Sequence, residues 1–187
     1  MIKVALVGNI ASGKSTAEEY LKDLGYPVLD TDKVCHNLLE ELSEVKEAFA
    51  LYDIFHHDKI SRQKLGHLVF TDPKLRKILE DILYPHVKLE IAKFFAQNIS
   101  SKYAFVGAPM LFEAKMEDLF DKILFVYADD NIRLERLMKR EGYSKQYAQI
   151  RLDVQGKQED KVVKSDWVVY NNSTVSELKT QISKLIV

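Results

Sequence analysis

The feature that most constrains this chain is a glycine-rich segment close to its N-terminus. It reads GNIASGKS over residues 8–15 and fits the phosphate-binding pattern G-x-x-x-x-G-K-[ST], the P-loop. The segment follows the apolar run VALV and precedes a helix-compatible stretch, which is the context the pattern requires. Because such a loop lets backbone N–H groups and a helix N-terminus converge on a phosphate, it predicts a site for a nucleoside triphosphate.

Individual positions of this loop have predicted parts in holding the triphosphate. Lys14 is expected to reach the β- and γ-phosphates, and the Ser15 hydroxyl is expected to bind Mg²⁺. Asn9 and Ala11 stand where glycines are common, and the first of these replacements is expected to cost little, since only a backbone position with a positive φ demands glycine. The predicted nucleotide-binding positions are Gly8, Asn9, Ile10, Ala11, Ser12, Gly13, Lys14, Ser15 and Thr16.

Short apolar runs alternate with helical periodicity along the chain. This pattern predicts an α/β fold of the P-loop NTPase type, with an open parallel five-stranded sheet and helices on both faces. The predicted strands are almost continuously apolar, as strands buried on both faces are, and cover residues 3–7, 27–30, 103–108, 122–128 and 166–170. The helical periodicity that begins at Pro73 is interrupted by Pro85, which predicts either a kink or a boundary between two helices.

Composition sets limits on partners and location. The 27 basic and 28 acidic residues nearly cancel, so nothing suggests a nucleic-acid footprint or a polybasic membrane patch. Cys35 is the only cysteine, which excludes an intrachain disulfide. No apolar run approaches the roughly 20 residues that cross a bilayer. We therefore expect a soluble cytoplasmic protein that binds neither nucleic acid nor membranes.

Three arginines share one side of a predicted helix in the polar region after the fourth strand. Arg133, Arg136 and Arg140 are spaced by three and four residues and would form one stripe. The stripe is either an exposed amphipathic face or a mobile lid over the phosphates. The P-loop upstream favours the lid, because phosphoryl transfer needs cations close to the phosphate oxygens.

Carboxylates follow two of the predicted strands, at the sheet edge where open α/β proteins bind ligands. Asp30 ends the second strand, and Asp32 is the predicted base, although it is equally placed to cap the following helix. The third strand carries no Walker-B aspartate, which leaves Ser15, Asp32 and phosphate oxygens around Mg²⁺. Glu113 is the carboxylate nearest this strand, and pairing with a lid arginine is an alternative role for it.

Further segments follow the P-loop in a recognisable order. They are DTD at 30–32, KISR at 59–62 with Leu65 and VF at 69–70, PMLFE at 109–113, the pair Arg136 and Arg140, RLDVQ at 151–155, and SDWVVYN at 165–171. With these segments the chain resembles the dephospho-CoA kinase family over nearly its full length. The ordered set is specific, whereas a P-loop alone is generic.

This resemblance implies a reaction and a set of residue roles. ATP, with Mg²⁺ as cofactor, would phosphorylate the ribose 3′-hydroxyl of dephospho-CoA, giving CoA and ADP in the last step of CoA biosynthesis. Asp32 would be the base, with Lys14 and Arg140 as the other catalytic residues. Arg136 and Asn171 would bind ATP. The implied acceptor-binding residues are Asp32, Arg62, Tyr84, His86, Pro109, Leu111 and Glu113.

One departure from the family pattern affects the acceptor site. The family usually has His-Pro where this chain has Tyr84 and Pro85, and His86 is displaced by one position. The role of that histidine passes to Tyr84 or His86, or is lost. A second departure is Ser173, which replaces a usual glycine after Asn171.

The resemblance also implies a division of the chain. We expect a single P-loop kinase domain over residues 1–187, active as a monomer or weak homo-oligomer. A helical acceptor-binding insertion is expected at about 32–98 and a lid at about 131–160. The core is expected at about 1–30, 100–130 and 165–187.

Two other functions share parts of the same pattern. A P-loop kinase for a nucleoside monophosphate or another small metabolite would have the same loop and lid, and would differ around Arg62 and residues 109–113. A nucleotide-dependent switch protein with slow hydrolysis would turn over ATP without stimulation by any small acceptor. An inactive paralogue is disfavoured because Lys14, Ser15, Asp32 and Arg140 are all present.

Overall fold

The computed structural model describes residues 1–57 and 59–186. Seven strands lie in this part of the chain, namely β1 (Ile2–Val7), β2 (Val28–Asp30), β3 (Phe55–His56), β4 (Lys59–Ile60), β5 (Tyr103–Gly107), β6 (Lys122–Tyr127) and β7 (Trp167–Tyr170). The α-helices described there are α1 (Lys14–Asp23), α2 (Thr31–Glu41), α3 (Ser43–Ala48), α4 (Arg62–Thr71), α5 (Pro73–Gln97), α6 (Asp130–Glu141), α7 (Lys145–Asp153), α8 (Gln158–Val162) and α9 (Val175–Leu185).

The main sheet has five strands in the order β2-β5-β1-β6-β7. Its central strand β1 is parallel to β5, with Leu6 opposite Gly107, and to β6, with Val7 opposite Phe125. Strand β7 is parallel to β6. The predicted parallel five-stranded sheet is confirmed, and every strand lies within two residues of its predicted limits. Because parallel strands end at one edge, the loops after β1, β5 and β6 lie side by side.

Backbone contacts divide the chain into two compact units. The first contains residues 1–29 and the described residues from Phe95 onward, and the second contains residues 30–94. In the first unit, the sheet and the helices α1 and α9 share one apolar core, formed by residues including Leu6, Leu21, Phe105, Leu124, Val126, Leu178 and Ile182. This core fixes the end of β1 and the start of α1, between which the P-loop runs.

The second unit contains α2, α3, α4, most of α5 and the small β3–β4 hairpin. Helix α5 has 25 residues and continues through Pro85, so the predicted alternative of a boundary between two helices is wrong. Proline removes one helical hydrogen bond. Leu83 and Val87 are nevertheless both buried on either side of it, and their burial favours an uninterrupted helix.

Helix α5 is the longest helix of the described chain, and charged residues occur along its whole length. Within residues 1–57 and 59–186, no helix is both long enough and apolar enough to cross a bilayer.

Candidate functional site: a phosphate-binding loop

The P-loop turns tightly between β1 and α1. The N–H of Ser12 donates to the carbonyl of Asn9 at 3.0 Å, and the N–H of Ala17 donates to that of Gly13 at 3.1 Å. Gly13 has a φ of 100°, and a Cβ there would overlap Nδ2 of Asn171. Glycine is therefore required at this position by both backbone conformation and space.

Ala11 also has a positive φ, 62°. The substitution of Ala for Gly at this position is therefore not neutral, because an L-residue in the left-handed region costs about 1–2 kcal/mol. Asn9 is absent from the set of positive-φ residues among those described, in agreement with the expectation that it replaces glycine at little cost.

Unpartnered polar atoms gather at this loop. Among the described residues, four buried side-chain atoms have no hydrogen-bond partner: Asn9 Oδ1, Ser12 Oγ, Arg133 Nη2 and Arg136 Nη1. Buried polar atoms are normally satisfied, so such a group points to a missing ligand. Three of the four atoms are potential donors, and two of those belong to guanidinium groups. The chemistry therefore suits an anion with several oxygen acceptors.

Arg133 is the largest fully buried side chain of the described residues. Its Nε donates to the carbonyl of Ile10 at 3.0 Å, and its Nη1 pairs with Asp130 at 2.7 Å. Burial lowers the pKa of the Arg133 guanidinium, and the negative charge of Asp130 opposes this shift. Sequence reasoning placed Arg133 only on an arginine stripe and missed its hold on the P-loop. Its position on the first turn of α6, the turn nearest the sheet edge, was the available signal.

Arg136 and Asn171 connect the end of β7 to the loop. Arg136 Nη2 donates to the carbonyl oxygen of Asn171 at 2.9 Å, and Asn171 Nδ2 donates to that of Ser12 at 2.7 Å. Of these two predicted ATP-binding residues, Asn171 contacts the P-loop directly and Arg136 contacts Asn171.

Arg140 differs from the other two arginines of the stripe, because its side chain is 56% exposed and its Nε bonds Glu141 at 2.7 Å. The three arginines therefore do not share one environment. Arg140 is the most exposed of the three.

Helices α6 and α7 pack on the loop itself. Leu137, Ala148 and Leu152 form a small buried cluster, against which Ile10 and Ala11 pack. Part of the apolar surface of the predicted lid region therefore covers the P-loop.

The segment after α7 also binds the loop. Gln155 Oε1 accepts a short hydrogen bond of 2.5 Å from the N–H of Ile10, and the carbonyl of Gly156 accepts one of 3.2 Å from Asn9 Nδ2. Sequence reasoning matched Gln155 to a family motif without assigning it a role. Its polar helical surroundings gave no other signal.

Lys14 begins α1 and pairs with Glu18, four residues further along the same helix, at 2.7 Å. Both side chains are largely buried, with 14% and 7% of their surfaces exposed. Glu18 was missed by the sequence reasoning, although its spacing from Lys14 was a visible signal. The lysine predicted to bind the phosphates is thus held by a carboxylate in this structure.

The segment after β5 supplies the predicted residues Pro109, Leu111 and Glu113. Leu111 is buried, Pro109 is half-buried and Glu113 is exposed. Glu113 pairs with Lys161 of α8 at 2.9 Å. The alternative that it pairs with a lid arginine is therefore wrong. Its partner is instead the ammonium group of Lys161, a residue whose side chain is only 11% exposed.

In the second unit, Asp30 and Asp32 have different roles at the start of α2. Asp30 Oδ1 accepts from the N–H of Asp32 at 3.0 Å, so Asp30 is the cap and the alternative that Asp32 caps this helix is wrong. Asp32 lies exposed in the first helical turn.

Burial raises the pKa of the Cys35 thiol to about 11, and the charges of Asp32 and Asp30 add to this shift.

The other predicted acceptor residues also lie in this unit. Arg62 is exposed at the first position of α4, and Tyr84 and His86 are half-buried in α5. Next to Arg62 in the chain is a hollow of about 550 Å³, lined by Tyr52, Asp53, Ile54, Gln63, Lys64, His67 and Leu68. Its volume falls within the range of small-molecule sites.

The residues present fit a Mg²⁺–nucleotide complex better than a site for a metal alone. Within residues 1–57 and 59–186, no group of three or more His, Cys, Asp or Glu side chains is arranged to hold a metal. Mg²⁺ keeps most of its waters and typically takes one or two protein ligands together with phosphate oxygens. Ser15, exposed on the first turn of α1, is a suitable hydroxyl ligand of that kind.

Comparison with known proteins gives a consistent result. A family model described as dephospho-CoA kinase matches residues 2–177. The dephospho-CoA kinase of Oceanobacillus iheyensis is 36% identical over 189 residues, which cover 98% of this chain and 95% of that protein.

Two solved structures are also similar to this chain. A crystal structure of a Thermus thermophilus protein has a TM-score of 0.89 and 31% identity, and covers 99% of this chain and 95% of its own. The dephospho-CoA kinase of Campylobacter jejuni has a TM-score of 0.75 and 28% identity, with 98% and 94% covered.

Proposed function

This chain belongs to the dephospho-CoA kinase family, and from that premise we propose how its residues transfer the γ-phosphoryl group of ATP to the ribose 3′-hydroxyl of dephospho-CoA. The products are CoA and ADP, so the enzyme is a transferase that acts in the last step of CoA biosynthesis. The observation that carries the assignment of roles is the group of four unpartnered buried polar atoms at the P-loop.

The triphosphate of ATP binds at the P-loop. Loop N–H groups and the N-terminus of α1 hold its oxygens, and Lys14 leaves Glu18 to reach the β- and γ-phosphates. Arg136 Nη1 and Arg133 Nη2 are the cations already buried at the loop, which supports a role for both in neutralising the phosphates. Asn171 holds the loop backbone through its hydrogen bond to Ser12 and extends the ATP site toward the adenine.

The Ser15 hydroxyl is the protein ligand that would hold Mg²⁺ on the nucleotide. When bound there, this ion would neutralise negative charge on the β- and γ-phosphates. Elsewhere on the loop, helices α6 and α7 cover Ile10 and Ala11 with apolar side chains, which keeps water from that side of it.

Asp32 accepts the proton of the attacking 3′-hydroxyl. Arg140, which is exposed and bonded only weakly through a surface pair with Glu141, turns to the transferring group and stabilises its charge. The acceptor is bound by Arg62, Tyr84, His86, Pro109, Leu111 and Glu113, with Tyr84 or His86 taking the place of the family's histidine.

The test of this function is the rate of ADP release with dephospho-CoA, with AMP and with no acceptor. We expect strong stimulation by dephospho-CoA alone and loss of that stimulation in Lys14→Ala. Equal rates of ADP release with and without dephospho-CoA would contradict the proposal. Stimulation by AMP instead would favour a nucleoside monophosphate kinase.

A second variant tests the base. Asp32→Asn should lower kcat by about 10²–10⁴-fold, the usual contribution of a general base, with little change in ATP affinity. A large loss of ATP binding would instead assign Asp32 to the metal.

Three other features stay predictions. They are a cytoplasmic location, a monomer or weak homo-oligomer, and the division into core, insertion and lid.

A further inference from the structure

The end of strand β5 lacks a residue that P-loop proteins commonly place there. Such proteins use a carboxylate at the end of a neighbouring strand, the Walker-B aspartate, to hold the nucleotide's metal. Strand β5 is the neighbour of β1, and Gly107 lies opposite Leu6, two residues before the P-loop. Gly107 is followed by Ala108 and Pro109, so this strand end carries no carboxylate.

A carboxylate from another element fills the space beside Gly107. A Cβ built on Gly107 would overlap Oε1 of Glu18, and would lie 3.0 Å from its Cδ and 3.1 Å from Nζ of Lys14. The side chain that an aspartate would place at this strand end is thus replaced in space by the Glu18 carboxylate of helix α1. Glycine at position 107 leaves the room that Glu18 occupies.

Glu18 also has the correct position relative to the metal-binding hydroxyl. It lies three residues after Ser15 and four after Lys14, the two spacings at which side chains are neighbours on a helix. Its side chain is only 7% exposed, and an ionised carboxylate in such a place requires a cation close to it. In this structure Lys14 supplies that cation.

Nucleotide binding changes this arrangement. When Lys14 turns to the β- and γ-phosphates, its ion pair with Glu18 breaks, and the Glu18 carboxylate remains the helical neighbour of Ser15, three residues away. We propose that Glu18 takes the part of the missing strand carboxylate and helps to hold the nucleotide-bound divalent cation. This inference rests on the proposed ATP site and names one further residue of it.

The test measures Mn²⁺ affinity of the enzyme–ADP complex by electron paramagnetic resonance, with Mn²⁺ in place of Mg²⁺. We expect Glu18→Gln, which keeps the side-chain size, to weaken Mn²⁺ binding by about tenfold or more, as loss of a group that supports a metal does. The adjacent exposed residue provides a matched control, and Glu19→Gln should leave Mn²⁺ affinity and turnover unchanged.

A double variant tests the spatial replacement directly. Gly107→Asp alone should weaken Mn²⁺ binding because its side chain collides with Glu18. Glu18→Ala alone should also weaken Mn²⁺ binding, because it removes the carboxylate. The combination of Glu18→Ala with Gly107→Asp should restore Mn²⁺ affinity toward that of the unchanged protein, because the carboxylate returns from the strand. A double variant no better than the weaker single variant would contradict the proposal.

Ser15→Ala separates failure of this inference from failure of the proposed site. If Ser15→Ala weakens Mn²⁺ binding and Glu18→Gln does not, Glu18 serves only as a partner of Lys14 and the inference is wrong. If neither variant weakens Mn²⁺ binding, the proposed metal site itself is wrong, and the inference falls with it.

Discussion

At the scale of single residues, Gly13 is the most constrained position of the P-loop. Its φ of 100° and the overlap of a Cβ with Asn171 both exclude a side chain. We expect Gly13→Ala to lose most ATP binding and to destabilise the fold by more than the roughly 1–2 kcal/mol of the backbone conformation alone. Isothermal titration with ATP and urea unfolding measure the two effects.

Gly25 provides the matched control for that variant. It also has a positive φ, 82°, but a Cβ there meets nothing within 4 Å. Gly25→Ala should therefore lower the free energy of unfolding by only the roughly 1–2 kcal/mol of the backbone conformation, and should leave ATP affinity unchanged. Equal losses of ATP affinity in the two variants would show that the contact with Asn171 is irrelevant.

Cys35 gives a residue-scale prediction that depends on pH. Burial, together with the charges of Asp32 and Asp30, raises the pKa of its thiol to about 11, so it stays protonated over the neutral range. Because only the thiolate reacts, alkylation should accelerate about tenfold for each pH unit from pH 7 to 10, without a plateau.

A model peptide thiol should level off near its ordinary pKa of about 8.5 under the same conditions. Asp32→Asn should lower the pKa of Cys35 and speed its alkylation at pH 9. A plateau near pH 8.5 in the unchanged protein would contradict the effect of burial and of the two aspartate charges on the thiol.

Some site residues could be predicted from the sequence and others could not. Lys14 and Ser15 follow from a fixed local pattern, because the P-loop is a continuous segment. Arg133, Gln155 and Glu18 act through the carbonyl of Ile10, its N–H and the space beside Gly107. The spacing of Glu18 from Lys14 was a visible signal, but the contacts of Arg133 and Gln155 depend on tertiary packing between distant segments, on which residue spacing carries little information.

At the scale of elements, the segment joining α7 and α8 supports the P-loop through Gln155. Loss of its hydrogen bond leaves the Ile10 N–H without this acceptor, and an unsatisfied buried donor costs about 1–3 kcal/mol. We expect Gln155→Ala to weaken ATP binding by about 5- to 160-fold, the equivalent of that energy at the loop.

The control for Gln155 lies on the preceding helix. Gln149 is exposed and bonds Asp153 within α7, so Gln149→Ala should leave ATP affinity unchanged. If Gln155→Ala binds ATP as tightly as Gln149→Ala does, the α7–α8 segment does not organise the loop.

Asp166 ties the start of β7 to β6. It accepts from Lys122 Nζ at 2.7 Å and from the N–H of Ile123 at 2.8 Å. Burial alone would raise the pKa of Asp166, but these hydrogen bonds and the Lys122 charge hold it below its ordinary value. A carboxylate with a lowered folded-state pKa stabilises the fold above its unfolded pKa and loses that effect as pH falls.

We therefore expect Asp166→Ala to lower the free energy of unfolding by about 1–2 kcal/mol at pH 7, with screening by solvent included. The difference from the unchanged protein should shrink as the pH falls below about 4, where an ordinary aspartate is protonated. Urea unfolding at several pH values measures this. A difference that stays constant from pH 7 to pH 3 would exclude a role for the carboxylate charge.

The elements themselves were largely predictable. The apolar runs of the five main strands mark them to within two residues, because strands buried on both faces have a continuous signal. Helix α5 was less predictable, because the sequence left open a boundary between two helices at Pro85. Pro85 marks a local weakness, but burial of its neighbours Leu83 and Val87 outweighs the lost hydrogen bond.

At the scale of the whole molecule, the parallel sheet and the family follow from sequence, since the pattern extends over residues 2–177. What the pattern does not give is the state of the phosphate site between β1 and α1. There Lys14 pairs with Glu18, and the α6 to α8 region already contacts the loop. Those arrangements arise from side-chain packing and from buried charges that compensate one another.

The activity that defines this chain is transfer of a phosphoryl group to the 3′-hydroxyl of dephospho-CoA. Phosphorus NMR of a reaction with ATP and dephospho-CoA tests it most directly, because a phosphate on the ribose appears as a new phosphomonoester signal. We predict one such signal, growing in step with ADP and absent with Lys14→Ala. ADP formation without a new phosphomonoester on the ribose would contradict the account.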